Sequence, residues 1–238
     1  MKAPYTRCSF PVLALFYFTC LFFFHSAQAQ FDLKDPNMVY KDKDGKPMTM
    51  DSVMSFVSKG AFSMQKKDLG NGKTEVTLFR QSNEAVEKQI KAHKEWIAKW
   101  IGKPFPEFAL SDFSGNLIKP SDLKGKAMVV NFWFTGCQPC IAEIPKLNKL
   151  VSSHEGQAIK FLAFSFNDKE VLEKSVRKHD FKYTQLSNAQ KLIDELGINT
   201  YPTHMIIDKT GVIREIEIGA NENIDKRLET LIEKTVGQ

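Results

Sequence analysis

The segment Cys137-Gln138-Pro139-Cys140 sets two thiols two residues apart, immediately after the apolar run Val129-Val130-Asn131-Phe132-Trp133 and the short link Phe134-Thr135-Gly136. A strand, a tight loop and then a helix is the reading this pattern favours, with Cys137 at the helix start. There the unpaired backbone N–H groups and the helix dipole stabilise an anion. A cysteine so placed can have its pKa lowered to roughly 3.5–7.5, against about 8.5 for a free thiol. Cys137 is therefore expected to be an exposed nucleophile. Cys140 continues into a stripe with Ile144, Leu147 and Val151 and is expected to be buried, suited to attack a mixed disulfide formed on Cys137. The same spacing is also half of a zinc site, but zinc requires two further ligands at matched spacing. His154, His179 and His204 are scattered single residues and His93 falls on the apolar side of its own helix, so no metal and no cofactor is expected.

The elements that must hold this pair can be read on either side of it. Ala127 to Trp133, Ile159 to Phe166 and Tyr183 to Leu186 are short apolar runs; a helix after Cys137 and another from Lys169 to His179 separate them. This alternation predicts an α/β sheet with parallel strands. Thr203 to Ile207 and Val212 to Ile218 flank Asp208-Lys209-Thr210-Gly211, the signature of an antiparallel hairpin, and a helix from Glu222 to Val236 follows. The fold class expected is α/β with a mixed central sheet flanked by helices.

Upstream, Gly102-Lys103-Pro104-Phe105-Pro106 interrupts an amphipathic helix predicted over Ser82 to Ile101, whose apolar positions are Val86, Ile90, Ile97 and Ile101. The boundary of the main domain, 102–238, is placed here. Residues 30–101 then form a small α+β module ending in that helix. Within it, Asp51 is expected to cap a short helix through Val57, and Ala61 to Met64 is expected to pair with Thr74 to Phe79 around Gly70-Asn71-Gly72.

Residues 1–29 have the form of an export signal: basic Lys2 and Arg7, an apolar run from Phe10 to Phe24, and Ala27-Gln28-Ala29 as a cleavage site. The apolar run is shorter than the roughly 20 residues that span a bilayer, which favours cleavage before Gln30 over a retained anchor. Cleavage would remove Cys8 and Cys20, leaving Cys137 and Cys140 as the only thiols of an exported, periplasmic chain. Structural disulfides gain most by closing long loops, and this pair closes almost none, so its presence asks for a chemical reason. Hydrophobic residues at 42% and charged residues at 26% are ordinary for a globular protein. The net charge of +5, or +3 without the leader, is too mild to indicate a nucleic-acid partner.

Three blocks occur in an order similar to that of the thioredoxin superfamily: Gly102-Lys103-Pro104-Phe105-Pro106-Glu107-Phe108, then Asn131 through Pro145, then Tyr201-Pro202-Thr203. Residues 102–238 resemble its exported TlpA/ResA branch, which is grouped with the AhpC/TSA redoxins. The resemblance implies a thioredoxin-like fold and a thiol:disulfide oxidoreductase acting on protein thiols and disulfides, favouring reduction. It implies an upstream membrane or periplasmic thiol as electron donor, with transient contact to a membrane protein. By position, Pro202 is the cis-proline that faces the redox pair, Tyr201 offers its backbone to an incoming extended peptide, and Thr203, Gly136 and Trp133 complete the substrate-binding surface. Glu143 matches the active-site glutamate of ResA-like reductases and would move the proton of Cys140, since Asn131 stands where thioredoxins often keep a buried acid. Gly136, where tryptophan is common, leaves partner identity open, and a core role is a sufficient reading of Trp133.

Two other readings are weaker. A thiol peroxidase of the AhpC/TSA group needs Pro-x-x-x-Thr-x-x-Cys, but Val130 occupies the proline position and Thr135 is out of register. A copper-binding carrier would use Met38, Met48, Met50, Met54 and Met64 with the thiolates, yet such carriers space their cysteines one residue wider, and methionine is more often core filler.

Overall fold

The computed structural model describes residues 36–58 and 62–236; the expected leader, its cleavage site, Cys8, Cys20 and Ala61 lie outside them. The N-terminal part contains β1 (Met38–Lys41), α1 (Met50–Ser58), β2 (Phe62–Asp68) and β3 (Thr74–Arg80). Its sheet has the order β1-β3-β2, with β1 parallel and β2 antiparallel to β3. The expected hairpin is present, its described strands running from Phe62 and Thr74 and meeting at Asp68 and Thr74. Gly70 and Gly72, with φ of +73° and +76°, supply the left-handed backbone of the turn. β1 was not anticipated. The cap of α1 is Thr49, whose Oγ1 accepts the Ser52 N–H at 3.3 Å, rather than Asp51, which stands in the first turn. Tyr40, Val53, Val76 and Leu78 form the small core, and Met38, Met48 and Met50 pack against it.

The rest of the chain runs through α2 (Asn83–Trp100), β4 (Leu110–Ser111), β5 (Leu117–Ile118), β6 (Ala127–Phe132), α3 (Gln138–Ser153), β7 (Ile159–Phe164), α4 (Lys169–His179), β8 (Thr184–Leu186), α5 (Gln190–Leu196), β9 (Thr203–Ile207), β10 (Ile213–Ile218) and α6 (Ile224–Val236). The central sheet has the order β10-β9-β6-β7-β8. β6, β7 and β8 are mutually parallel, while β9 runs antiparallel to both β6 and β10. This is the mixed sheet expected. The β4–β5 hairpin and α5 are additions, both too short to declare themselves by periodicity.

Strand alternation divides the core in two. Ala127, Val129, Phe161, Ala163 and Ile206 face α3 and α6. Met128, Val130, Phe132, Phe164, Met205 and Ile207 face α5, α2 and the Phe105–Phe108 segment. α2 reaches this second face with Trp96, Ile97 and Trp100, whereas Ile90 and Ile101 of the expected stripe are 48% and 38% exposed. The Trp96 and Trp100 indoles both donate to the Leu196 carbonyl, at 2.8 and 2.9 Å. An indole offers both a large apolar surface and a donor, so the tryptophans set the packing face in place of the aliphatic residues.

Candidate active site

The redox pair sits where β6 runs into α3. Cys137 is the N-cap of α3, its N–H bonded to the Phe134 carbonyl at 3.0 Å. Cys137 and Cys140 are joined as a disulfide, and Cys137 Sγ accepts the Cys140 backbone N–H at 3.2 Å. A negative charge on Cys137 Sγ would therefore meet an N–H of the first helical turn. In this disulfide form Cys137 is only 4% exposed and Cys140 1%, so the expectation that Cys137 would lie open is corrected. Phe134 and the partly buried Ile141 and Tyr201 share the surrounding core, while Gln138 and Pro139 between the cysteines are exposed.

The second wall of the site is the segment leading into β9. Register pairs Phe132 with Thr203, which brings the start of β9 beside the end of β6. The Tyr201–Pro202 peptide bond is cis. The Tyr201 ring packs edge-on against Phe134, centroids 5.2 Å apart, and also against Phe166. Burial, and then the charge of Asp194, hold its phenol well above the usual tyrosine range. His93 of α2 contacts Thr200 at 3.2 Å, so α2 borders this loop, and a cleft of about 230 Å³ lies between them, lined in part by Trp96, Thr200, Thr203 and Ile218.

Two residues expected on the substrate surface are placed behind it. Trp133 is wholly buried, with Nε1 donating to Gln185 Oε1 at 3.1 Å and its ring edge-on to Phe181. Thr203 is 1% exposed, and its hydroxyl donates to the Thr200 carbonyl at 2.7 Å, bracing the turn before Pro202. As placed, neither presents a side chain to an incoming peptide. Gly136 is half-buried beside Cys137.

Glu143 lies one helical turn beyond Cys140 on the same face of α3 and is 4% exposed. Its carboxylate is held on both oxygens: Oε1 accepts the Asn221 N–H at 2.8 Å, and Oε2 lies 3.1 Å from His204 Nε2. Burial, and then the nearby Glu143 carboxylate, push the Tyr183 phenol well above its ordinary range, which marks Tyr183 as a further neighbour. Asn131 is 1% exposed, and neither of its amide atoms has a hydrogen-bond partner among the described residues.

Sequence reasoning passed over His204, Tyr183, Gln185 and Asn221. A signal for His204 was present: a histidine inside the run Thr203 to Ile207, two positions before an inward-facing isoleucine, is a titratable group on a buried strand. Asn221 contributes only a backbone N–H, which residue type does not reveal.

A CxxC disulfide at a helix N-terminus beside a cis-proline on this mixed sheet defines a thiol:disulfide oxidoreductase of the thioredoxin fold. Comparison with known proteins agrees and narrows the class. Residues 101–216 match the AhpC/TSA family. Thiol-disulfide oxidoreductase ResA of Bacillus cereus is 33% identical over 136 residues, covering 56% of this chain and 78% of that protein. Thioredoxin-like protein YneN of Bacillus subtilis is 37% identical over 124 residues, covering 50% and 71%. The chain belongs to the ResA-like thiol-disulfide oxidoreductases of the thioredoxin superfamily. Among solved structures, a thiol:disulfide interchange protein from Bacteroides sp. superposes with a TM-score of 0.50 at 25% identity, covering 58% of this chain and 91% of that one. The thioredoxin domain of a thiol-disulfide oxidoreductase from Bacteroides vulgatus shares the fold, with a TM-score of 0.50 at 23% identity, covering 56% and 97%.

Proposed function

We propose that the protein is an exported reductase of protein disulfides in which Cys137 attacks, Cys140 resolves and Glu143 handles the proton of Cys140. The observation that carries this reading is Cys137 as the N-cap of α3, with Sγ directed at the Cys140 N–H. Cys137 thiolate attacks one sulfur of the substrate disulfide; the substrate S–S bond breaks, one substrate thiolate departs, and Cys137 is left in a mixed disulfide. Glu143 then takes the proton from Cys140, whose thiolate attacks Cys137 Sγ and expels the second substrate thiolate. Two electrons pass to the substrate, both leaving thiolates are protonated, and the Cys137–Cys140 disulfide remains. An upstream thiol donor, carried by a membrane or periplasmic protein, restores the dithiol.

The Tyr201 backbone and Pro202, beside Phe134, are the docking edge for an extended segment of the substrate. Export rests on the leader pattern of residues 1–29; among the described residues no helix is long and apolar enough to cross a membrane. The division at Gly102 separates this machinery from an N-terminal module whose helix α2 borders the docking loop.

The test is a reduction potential combined with a trap. A potential near about −270 mV supports a reductant, and one near about −120 mV makes the protein an oxidant instead. Cys137→Ser is expected to abolish reduction of a model protein disulfide, and Cys140→Ser to accumulate mixed disulfides through Cys137. Mixed disulfides forming through Cys140 in Cys137→Ser, at the rate seen in Cys140→Ser, would reverse the assignment.

A further inference from the structure

His204 is wholly buried, and among the described residues its ring's one hydrogen-bonding neighbour is the carboxylate one turn from Cys140. The other ring nitrogen, Nδ1, has no partner among the described residues. Directly opposite on β6, the register places Asn131, whose amide oxygen and nitrogen are also unpartnered, and the Tyr183 hydroxyl near Glu143 is unpartnered as well. Buried polar atoms are nearly always hydrogen-bonded, so three side chains on one face of one sheet, each with a polar atom that has no partner among the described residues, form a cluster that packing does not explain. An imidazole paired with a carboxylate can, however, take up one proton and remain paired, as imidazolium and carboxylate.

We propose that His204 is the positioning residue that completes the acid–base device of Glu143: it fixes the carboxylate toward Cys140 and stores the proton that Cys140 gives up. This rests on the reading of Glu143 as the base for Cys140. The step is balanced. The Cys140 S–H bond breaks, the proton passes to Glu143 and on to His204, and the Cys140 thiolate forms the new S–S bond with Cys137 as the substrate thiolate leaves. The proton then returns to a thiolate as the cycle runs on. The proton arrives at Nε2, the nitrogen that faces Glu143, so Nδ1 carries the ring's other N–H throughout, on the side of the ring where Asn131 stands at the paired strand position.

The other groups around His204 do not compete for this role. On β10 the paired residue is Glu217, already bound at 3.0 Å to Arg227 of α6. The other α6 residues against this core, Ile224, Leu228, Leu231 and Ile232, are apolar, as is Ile206 two positions along β9. α3 supplies Glu143 and Cys140, while its Lys146 donates to the Glu222 carbonyl. The segment before β8 supplies the Tyr183 hydroxyl, held protonated by its burial.

The test isolates the resolving step. The processed chain from Gln30, in which Cys137 and Cys140 are the only thiols, is reduced and mixed with Ellman's reagent; it releases chromophore twice, first as Cys137 attacks and then as Cys140 displaces the thionitrobenzoate left on Cys137. The second phase is followed by stopped flow across about pH 5 to 8. Glu143→Gln is expected to slow it on the order of 10²-fold. His204→Gln, which keeps an N–H but cannot store a proton, is expected to slow it about tenfold and to change its pH profile, with the first phase unaltered. A His204→Gln profile superimposable on wild type, with Glu143→Gln still slow, overturns the inference alone. An unchanged second phase in Glu143→Gln overturns the base reading and the inference with it. Ring ¹⁵N shifts of His204 in the unmutated protein give an answer independent of folding. They are expected to differ between disulfide and dithiol forms, and one protonation state in both forms throughout the pH range overturns the proposal.

Discussion

On the side facing α2 and α5, the central sheet buries Phe105, Phe108, Phe132, Phe164, Met128 and Leu196 against one another, with Phe164 ringed by three other phenylalanines at centroid distances of 5.1 to 6.1 Å. The side facing α3 and α6 buries the disulfide, the Glu143–His204 pair and Asn131 among its aliphatic residues. Every buried side-chain atom without a hydrogen bond among the described residues, on Asn131, Tyr183 and His204, belongs to this second side. The contrast teaches where stability and chemistry reside. Apolar contact is favourable without conditions, whereas buried polar groups cost free energy unless paired. Among the described residues, polar groups without a hydrogen bond lie on one face of the sheet and the aromatic cluster on the other, so chemistry and stability are separated by layer.

The comparison is tested most heavily by removing its apolar anchor. Phe164→Ala is expected to cost about 3–5 kcal/mol of stability, measured by urea unfolding, because it empties the centre of the aromatic cluster. The rate of the resolving step should be unchanged in the folded fraction; a slowed step would show that the two faces are coupled. The opposite change sharpens the contrast. Asn131→Leu replaces a buried amide that has no hydrogen bond among the described residues with a larger apolar residue of the same branching; relief of the unpaired amide is expected to outweigh the overpacking and to stabilise the protein by about 1 kcal/mol. The same variant should slow resolution, since it removes the group opposite His204. A destabilised Asn131→Leu would mean that the amide is satisfied in solution, by water for example. The smallest effect belongs to the edge of the apolar face. Trp100→Phe removes one of two indole donors to the Leu196 carbonyl, and the other still satisfies it, so the expected loss is about 0.5 kcal/mol. A loss several times larger would show that α2 is held mainly through Trp100.

The elements with strong periodicity were legible in advance because each reports on its own surroundings. α4 was expected at Lys169 to His179 and β9 at Thr203 to Ile207, and both have those limits. α2 was legible as a helix but not in its packing face. Its aliphatic spacing favoured Ile90 and Ile101, and only the position of the Leu196 carbonyl turns Trp96 and Trp100 inward. β1, four residues long, and α5, seven, offer too few turns or alternations to read.

By itself the amino-acid sequence determined that a CxxC follows an apolar strand with one thiol at a helix start, where Cys137 is the N-cap of α3. It also determined the alternation of strand and helix around that centre, the break at Gly102, and the spacing that puts Glu143 one turn from Cys140. The tertiary structure alone decided that both cysteines lie covered in the disulfide form, that Trp133 and Thr203 brace the site from behind, and that Glu143 meets His204 across 61 positions of chain. Local patterns register neighbours a few residues away, through backbone geometry that repeats along the chain. The Glu143–His204 contact depends on β9 lying antiparallel beside β6 beneath α3, and the register of that pairing is settled only when the whole sheet buries its apolar faces together.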